Sequence, residues 1–437
     1  MGEITVVGGG LAGAEAAWQL AERGHRVNLI EMRPAVMTPA HRTGLLAELV
    51  CSNSFRGASL ENAGGLLKEE MRRLGSLIMA AADATRIPAG GALAVDRTRF
   101  AEFVTERLHH HPLVRVRTEE ATELPVPPAL IATGPLTAGR LAASLRAFFG
   151  HDHLHFYDAI APVVYAETLD MDLLFRASRY GKGDDAAYLN SPLTEEEYDV
   201  FWRELLAAEV RSGHLPEDAV FFEGCLPIEE MARRGKDTLR FGPMKPVGLV
   251  DPRTGRRPYA VVQLRQDDAA GALYNLVGFQ TRLAHGEQER VFRLLPGLAR
   301  AEFARFGGMH RNSYLCSPVL LRPTGEARKA AGLFFAGQLI GVEGYVESAA
   351  SGLVAGINLA RRLDGEEPFV FPRETALGAL MHYVTSAAPD RFQPMNVNFG
   401  LFPPLDFPAR GRREKARLLA ERALTVLEKV RQTIFRK

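Results

Sequence analysis

The stretch from Glu3 to Glu31 constrains the fold of this chain more than any other. Glu3-Ile4-Thr5-Val6-Val7 is a short apolar run suited to a buried strand, and Gly8-Gly9-Gly10-Leu11-Ala12-Gly13 follows it in the order GxGxxG. A helix-forming run, AEAAWQLAERG, comes next, and then a second strand-like run, RVNLIE, which ends on Glu31. Each part has a mechanical task. Gly8 makes the tight turn, Gly10 lets backbone approach a pyrophosphate, and Gly13 lets the helix close on the strand. The first N–H groups of the helix have no intrahelical partner and point at phosphate charge. Glu31 stands 21 residues after Gly10, placed to accept hydrogen bonds from a ribose diol and to repel a 2′-phosphate. The order of parts predicts a dinucleotide-binding βαβ unit, and Arg33, just beyond Glu31, keeps NADP open.

The other end of the chain selects the dinucleotide. GLFFAGQLIGVEGYVESAASGLVAGINLARR, Gly332 to Arg362, begins with an apolar strand that ends on Gly337-Gln338. A turn containing Gly344 and Tyr345 follows, and then a helix whose Ala349, Ala350, Ser351, Gly352, Ala355 and Gly356 permit close packing. Flavoproteins with two dinucleotide-binding domains return to their FAD domain in this way, with the last helix aiming its N-terminus at the flavin pyrimidine edge. Between the two ends, PALIATGP supplies a strand closing on Ala132-Thr133-Gly134. Together the three elements favour FAD over NAD. The candidate cofactor-binding residues are therefore Gly8, Gly9, Gly10, Leu11, Ala12, Gly13, Glu31, Gly134, Gly337, Gln338, Gly344 and Tyr345.

The expected fold class is α/β: a Rossmann-like FAD-binding fold of that two-domain flavoprotein type, carrying a large α+β insertion. At 437 residues the chain is too long for one ordinary core. The expected division is a discontinuous FAD-binding domain, 1–150 and 312–437, with an insertion at 151–311 facing the substrate. The insertion holds a charged helix, Thr194 to Val210, and strand-like runs at FFEG, YAVVQLR and YNLVGFQ.

Three cysteines in such a length form no disulfide framework, which points to a reducing cytoplasm. The N-terminus carries no signal-peptide pattern, and no apolar run approaches the roughly 18 residues that cross a bilayer. The formal net charge of +1 names no partner, but its distribution is uneven: from Arg410 to Lys437 ten Lys/Arg oppose three Glu. Further basic clusters lie at Arg233, Arg234, Lys236 and Arg240, and at Arg253, Arg256 and Arg257. Such clusters attract polyanions, or else form a solvated, salt-bridged surface.

Cys51 lies in LVCSNSFRG, about twenty residues after the second strand. Flavin disulfide reductases need a second cysteine five residues later, and here that position is Arg56, so a dithiol is excluded. Cys51 is either a single reactive thiolate, its pKa lowered by Arg56, or a buried inert thiol. Cys225, in FFEGCLPIEEMARRG, precedes a helix that Pro227 is suited to start, where the helix dipole favours a thiolate. Cys316 looks like packing. With no CxxC and no regular His spacing, no metal site is expected.

Long blocks of this chain resemble the bacterial folate- and FAD-dependent tRNA (uracil-5-)-methyltransferase family. They include GGGLAGAEAAWQLAERG, AELVCSNSFR, GGLLKEEMRRL, FFEGCLPIEEMARRG, RPYAVVQLRQDDAAG, FFAGQLIGVEGYVESAASG and QPMNVNFGLF. The blocks end near Phe402, so the basic tail is not among them, and Cys316 stands where the family pattern has a residue other than cysteine. The resemblance implies methylation of the T-loop uridine of tRNA at C5. The carbon comes from 5,10-methylenetetrahydrofolate and the reducing equivalents from NADH or NADPH through FAD. It makes Cys51 and Cys225 the candidate catalytic residues, one adding to uracil C6 and the other assisting elimination or shielding the adduct. A route in which the flavin carries the methylene needs no C6 nucleophile and stays open beside it. Lys245, in GPMKPVG, and Arg311, in MHRN, are the candidate substrate contacts. The expected partners are tRNA and folate, with no membrane, metal or obligate protein partner. The rivals are a flavoprotein that modifies wobble uridines, which needs a partner GTPase and a longer helical C-terminus, and an NAD(P)H oxidoreductase with no RNA substrate.

Overall fold

The computed structural model describes residues 3–137, 139–150, 154–181, 187–211, 226–406 and 408–434, with the side chains of 154–159 and 309–311 outside that description. The glycine motif folds as its spacing predicts. Strand β1 (Ile4–Val7), helix α1 (Leu11–Ala21) and strand β2 (Val27–Glu31) form the first βαβ unit, with β1 and β2 parallel. Helices α2 (Ala63–Arg73), α3 (Leu77–Ala84) and α4 (Arg97–His109) follow, and then strands β3 (Val114–Thr118) and β4 (Ala129–Ile131). The central strands read as unbroken apolar runs because both their faces are covered. By contrast β3, with Arg115 and Arg117 exposed, alternates as an edge strand must.

The chain then leaves this core and builds a second sheet. Its strands are β5 (Val163–Tyr165), β6 (Phe175–Arg176), β7 (Tyr188–Leu193), β8 (Ala260–Gln266), β9 (Leu273–Leu276) and β10 (Phe303–Arg305). Helix α5 (Glu195–Ala207) covers one face and starts on a capping box: the Thr194 hydroxyl accepts the Glu197 N–H at 3.2 Å, and the Glu197 carboxylate accepts the Thr194 N–H at 2.8 Å. All pairings in this sheet are antiparallel, in the order β6-β7-β8-β9-β5-β10. Ala260, Val262 and Leu264 of β8 bury into the core that α5 seals with Tyr198, Phe201 and Leu205. Val261, Gln263 and Arg265 take the opposite face, as the two-residue period of a strand requires.

Exit and re-entry run side by side, because Leu154–Ile160 and Gly308–Tyr314 pair as an antiparallel ribbon over seven registered positions. Back in the first core the chain adds strand β11 (Leu333–Phe335), helix α6 (Tyr345–Leu363), helix α7 (Ala376–Ser386) and helix α8 (Arg412–Ile434). The parallel sheet then has the order β3-β2-β1-β4-β11, the doubly wound arrangement. The basic tail is no loose arm. Ala416, Leu419, Ala420, Ala423, Leu427 and Val430 of α8 form a buried helical stripe, and Arg413 pairs with Glu61 at 2.6 Å.

Two ionisable side chains are buried beneath α6 and α7. Glu70 accepts the Ala376 and Leu377 N–H groups at 2.7 and 2.9 Å, capping α7 from a neighbouring helix, and burial pushes its carboxyl up to about 8. Lys68 is fully buried and donates to the Phe55 carbonyl at 2.9 Å. Burial, and then the charge of Arg56, push Lys68 down to about 7. Between about 7 and the ordinary 10.5 the unfolded chain binds this proton more tightly than the folded one, so stability from Lys68 rises with pH and is lost as pH falls toward 7. Glu70 is ionised in both states above its own value, so the interval from pH 8.5 to 10 isolates Lys68. Across it, urea unfolding is expected to show the native protein gaining roughly 1–2 kcal/mol relative to Lys68→Met. Parallel curves for the two proteins would refute this.

Candidate active site at the ends of the parallel strands

Three adjacent strands, β1, β4 and β11, end together. The Gly8 N–H bonds the Ile30 carbonyl at 2.8 Å, the Ala132 N–H bonds Val7 at 2.8 Å, and the Ala336 N–H bonds Ile131 at 3.0 Å. The glycine motif, the Ala132-Thr133-Gly134 turn and Gly337-Gln338 therefore share one end of the sheet. At Gly8, with φ +100°, a Cβ would sit 2.5 Å from the Ala132 carbonyl, and at Gly13 one would sit 1.8 Å from the Gly8 carbonyl. A Cβ on Gly10 would meet no atom within 4 Å. Gly10 is also the N-cap of α1, with no side chain capping that helix. Gly8 and Gly13 thus serve the fold, while Gly10 borders open space where the helix N–H groups emerge.

Glu31 lies against this turn. Its Oε2 accepts the Gly9 N–H at 2.7 Å, and its Oε1 accepts the Arg33 N–H at 3.0 Å and Nε–H at 2.9 Å. Burial alone would raise the Glu31 carboxyl, but the hydrogen bonds and charge of Arg33, with the Gly9 N–H, hold it below its ordinary value. Arg33 also reaches Glu48 at 3.2 Å, so the cation that kept a 2′-phosphate open is engaged by two carboxylates.

The closing helix packs backbone to backbone on the opening one. A Cβ at Gly352 would lie 2.1 Å from the Ala12 carbonyl, and one at Gly356 would lie 2.9 Å from that of Ala16. Gly337, at φ +81°, gives its N–H to Ser351 Oγ at 2.7 Å, and Gln338 donates to Glu343 at 2.8 Å. Gly344 is the N-cap of α6 at φ +107°, again without a side-chain cap. Two uncapped helix N-termini, α1 and α6, thus flank the strand ends. A dinucleotide fits this arrangement, with its anionic phosphates at one helix end and an electron-rich ring edge at the other.

The Cys51 loop is bound to the start of α6. The Tyr345 phenol accepts the N–H groups of Cys51 at 2.7 Å and Ser52 at 3.2 Å, so this side chain holds the cysteine loop. Cys51 is half-buried. Arg56 goes elsewhere than expected: it adopts φ +63°, and its guanidinium ion-pairs with the buried Glu347. Three other arginines act on the sulfur. Arg305 donates to the Val50 carbonyl at 2.9 Å and the Cys51 carbonyl at 2.7 Å. Arg97 donates to the Leu49 carbonyl and pairs with Asp267 at 2.9 Å, and Arg265 reaches Asn53 Oδ1 at 2.9 Å. Cys51 is electrostatically coupled to all three. Burial, and then the charge of Arg97, push Arg305 down to about 10, which leaves it a cation at neutral pH. Three guanidinium charges thus act on one half-buried sulfur. Sequence spacing could not find these partners, which come from α4, β8 and β10.

Cys225 lies outside the described residues, as does the FFEG run before it. Cys316 precedes the short helix Ser317–Leu320, and burial pushes its thiol up, away from thiolate. The backbone of Arg311 pairs with Tyr157, and its side chain is outside the description. The basic cluster is largely neutralised: Arg233 pairs with Glu230 at 2.6 Å, Lys236 with Asp199 at 2.5 Å, and Arg240 with Asp237 at 2.7 Å. Lys245 has no ion-pair partner among the described residues. Among those residues no group of three His, Cys, Asp or Glu is placed to hold a metal, and no helix is long and apolar enough to cross a membrane.

A Rossmann-type flavoprotein fold with an antiparallel second sheet inserted before its last strand is the class these observations define. The GidA protein of Aquifex aeolicus shares it, with a TM-score of 0.71 at 18% identity over 98% of this chain and 73% of that one. Residues 3–367 match the family described as glucose inhibited division protein A. The proteins named methylenetetrahydrofolate--tRNA-(uracil-5-)-methyltransferase TrmFO from Pelotomaculum thermopropionicum and Symbiobacterium thermophilum are 61% and 63% identical to it. They cover 99% and 97% of this chain, and 99% and 96% of their own lengths. The chain belongs to the TrmFO family. The match to the first spans 433 residues and so includes the basic C-terminal helix, which the sequence blocks alone leave out.

Proposed function

We propose that this chain methylates C5 of the T-loop uridine of tRNA, taking the carbon from 5,10-methylenetetrahydrofolate and the reducing equivalents from NADH or NADPH through bound FAD. The observation that carries the reading is the attachment of the Cys51 loop to the first residue of α6, which puts a thiol in an arginine field beside the candidate flavin edge. Gly10 and the N-terminus of α1 would hold the pyrophosphate, Glu31 a ribose, and Gly134, Gly337, Gln338 and the Gly344–Tyr345 backbone the flavin side. When bound, FAD supplies the hydride that completes the methyl group.

The residues of the chain supply the rest. Uracil C5 is a weak carbon nucleophile. A thiolate bonding to C6 moves the C5–C6 electron pair onto C5 and O4, and C5 can then bond to the electrophilic methylene. Loss of the C5 proton expels the tetrahydrofolate amine and leaves an exocyclic methylene on C5; reduction of that methylene to methyl then expels the thiolate from C6 and restores the ring. Arg97, Arg265 and Arg305 keep the sulfur anionic before attack and accept it again as a leaving group. Cys51 is the sulfur whose surroundings support this role, and Cys225 enters the reading through its place in the sequence. The cell compartment that fits such a tRNA enzyme is the cytoplasm. Incubating the purified protein with labelled methylenetetrahydrofolate, NADH and transcript tRNA is expected to yield labelled 5-methyluridine in the T-loop. Label at the wobble position, or NADH oxidation indifferent to tRNA, would refute the proposal.

A further inference from the structure

The face of β8 that carries Arg265 to the cysteine loop continues away from it. Two residues back, Gln263 accepts from Arg179 Nε at 2.8 Å, and two further back Val261 packs with Phe175 and Leu249. The three positions span roughly 13 Å of strand on one side of the sheet. Arg179 also donates to the carbonyls of Lys245 and Val247, which ties the 243–250 loop to this face.

What that loop presents is unusual for a surface. Tyr180 is 60% exposed and sits at φ +60°, a conformation that an aromatic residue adopts only when its surroundings impose it. The imposition is visible. The Tyr180 N–H bonds the Gly248 carbonyl at 2.9 Å, and a Cβ on Gly248 would lie 2.8 Å from the Tyr180 ring, so glycine makes room for the ring. Phe241 is 81% exposed at the end of the short helix Thr238–Phe241, beside an open cleft of about 690 Å³. Lys245 follows one tight turn later, its N–H bonded to the Gly242 carbonyl at 3.3 Å. Lys245, and the exposed Arg256 and Arg257 beyond it, have no ion pair among the described residues, although nearly every neighbouring cation does.

We infer that Tyr180 and Phe241 are stacking platforms for unpaired nucleotides flanking the target uridine, with Lys245 and the Arg256–Arg257 pair on the adjoining phosphates. This rests on the tRNA reading above and assigns the surface beside the second sheet that RNA crosses. Rigid exposed rings accept any base face, and unpaired cations beside them are the complement of a phosphate chain. Tyr180 follows Arg179, which bonds Gln263 on the face that ends at the cysteine loop, so one end of the patch adjoins the path to the reacting base.

The test measures binding of transcript tRNA to the FAD-loaded protein between 50 and 200 mM salt. Tyr180→Ala and Phe241→Ala are each expected to weaken binding about tenfold without changing its salt dependence, while Tyr180→Phe binds as the native protein does. Lys245→Ala is expected to reduce the salt slope by about one. Flavin content and light scattering are read on every variant. Native-like affinity in both alanine variants, or equal weakness in Tyr180→Phe and Tyr180→Ala, overturns the inference and leaves the methyltransferase reading standing. A change of oligomeric state in place of RNA affinity marks the patch as a protein contact and also overturns it. Failure of the native protein to bind tRNA overturns both.

Discussion

Cys51→Ala is expected to lower methyl transfer to tRNA by about a thousandfold or more while the purified protein stays yellow. On the proposed route with Cys51 as the nucleophile, the size follows from the chemistry: without a thiolate on C6, uracil C5 has too little carbanion character to attack the methylene. Flavin retention follows from the geometry. The contacts named above at Val50, Cys51 and Ser52 run through backbone, with Tyr345 accepting the Cys51 and Ser52 N–H groups and Arg305 donating to the Val50 and Cys51 carbonyls. Alanine keeps every one of them. The measurement is labelled-folate transfer at saturating tRNA, with absorbance near the flavin band on the same sample. Cys225→Ala belongs beside it: normal rates in both variants would rule out a thiolate route and favour carriage of the methylene by the flavin.

The second large effect separates two glycines of one motif. Gly13→Ala is expected to give a colourless or insoluble protein, because the added methyl would stand 1.8 Å from the Gly8 carbonyl oxygen, and backbone on both sides cannot yield. Overpacking of flexible side chains costs about 1–3 kcal/mol, and a clash between main chains exceeds that range. Gly352→Ala should behave alike, its methyl lying 2.1 Å from the Ala12 carbonyl. Gly10→Ala should instead fold normally and melt near the native temperature while losing affinity for FAD, since the space its methyl fills is the space beside the uncapped helix end. Thermal melts with and without added FAD distinguish the cases. Equal melting and equal flavin retention in Gly10→Ala would mean that no ligand approaches there.

The parts of this architecture that were legible in the sequence are those whose logic is local. A glycine that must turn, a helix that must start and a strand that must be covered on both faces leave their marks within thirty residues, so β1, α1, β2, β11 and α6 could be read directly. The small residues of α6 announced a backbone-close partner, and α1 is that partner. The site around the sulfur was less legible because its charges are assembled from afar. Arg56 is close to Cys51 in the chain, yet it is committed to Glu347, while Arg97, Arg265 and Arg305 arrive from three separate elements. One local signal bears on the surface charge. Arg233 and Arg240 stand three residues after Glu230 and Asp237, a helical spacing that pairs charges and empties the cluster of its pull on polyanions. Lys245, which like Arg256 and Arg257 has no ion pair among the described residues, lies in a loop whose importance the two exposed rings beside it disclose.

The central strands of the parallel sheet have a consequence for how the protein is made. β1 and β4 emerge early from the ribosome, but β11 and α6 follow some two hundred residues later, after the whole second sheet has been synthesised. At bacterial elongation rates the nascent chain waits on the order of ten seconds or more with its first half-sheet open along one edge. During that interval the edge of β4 is exposed to any neighbouring strand, and nothing can clasp a prosthetic group. Translation that stops before Leu333 therefore releases an apoprotein fragment with a sticky margin, a natural substrate for chaperones and proteases.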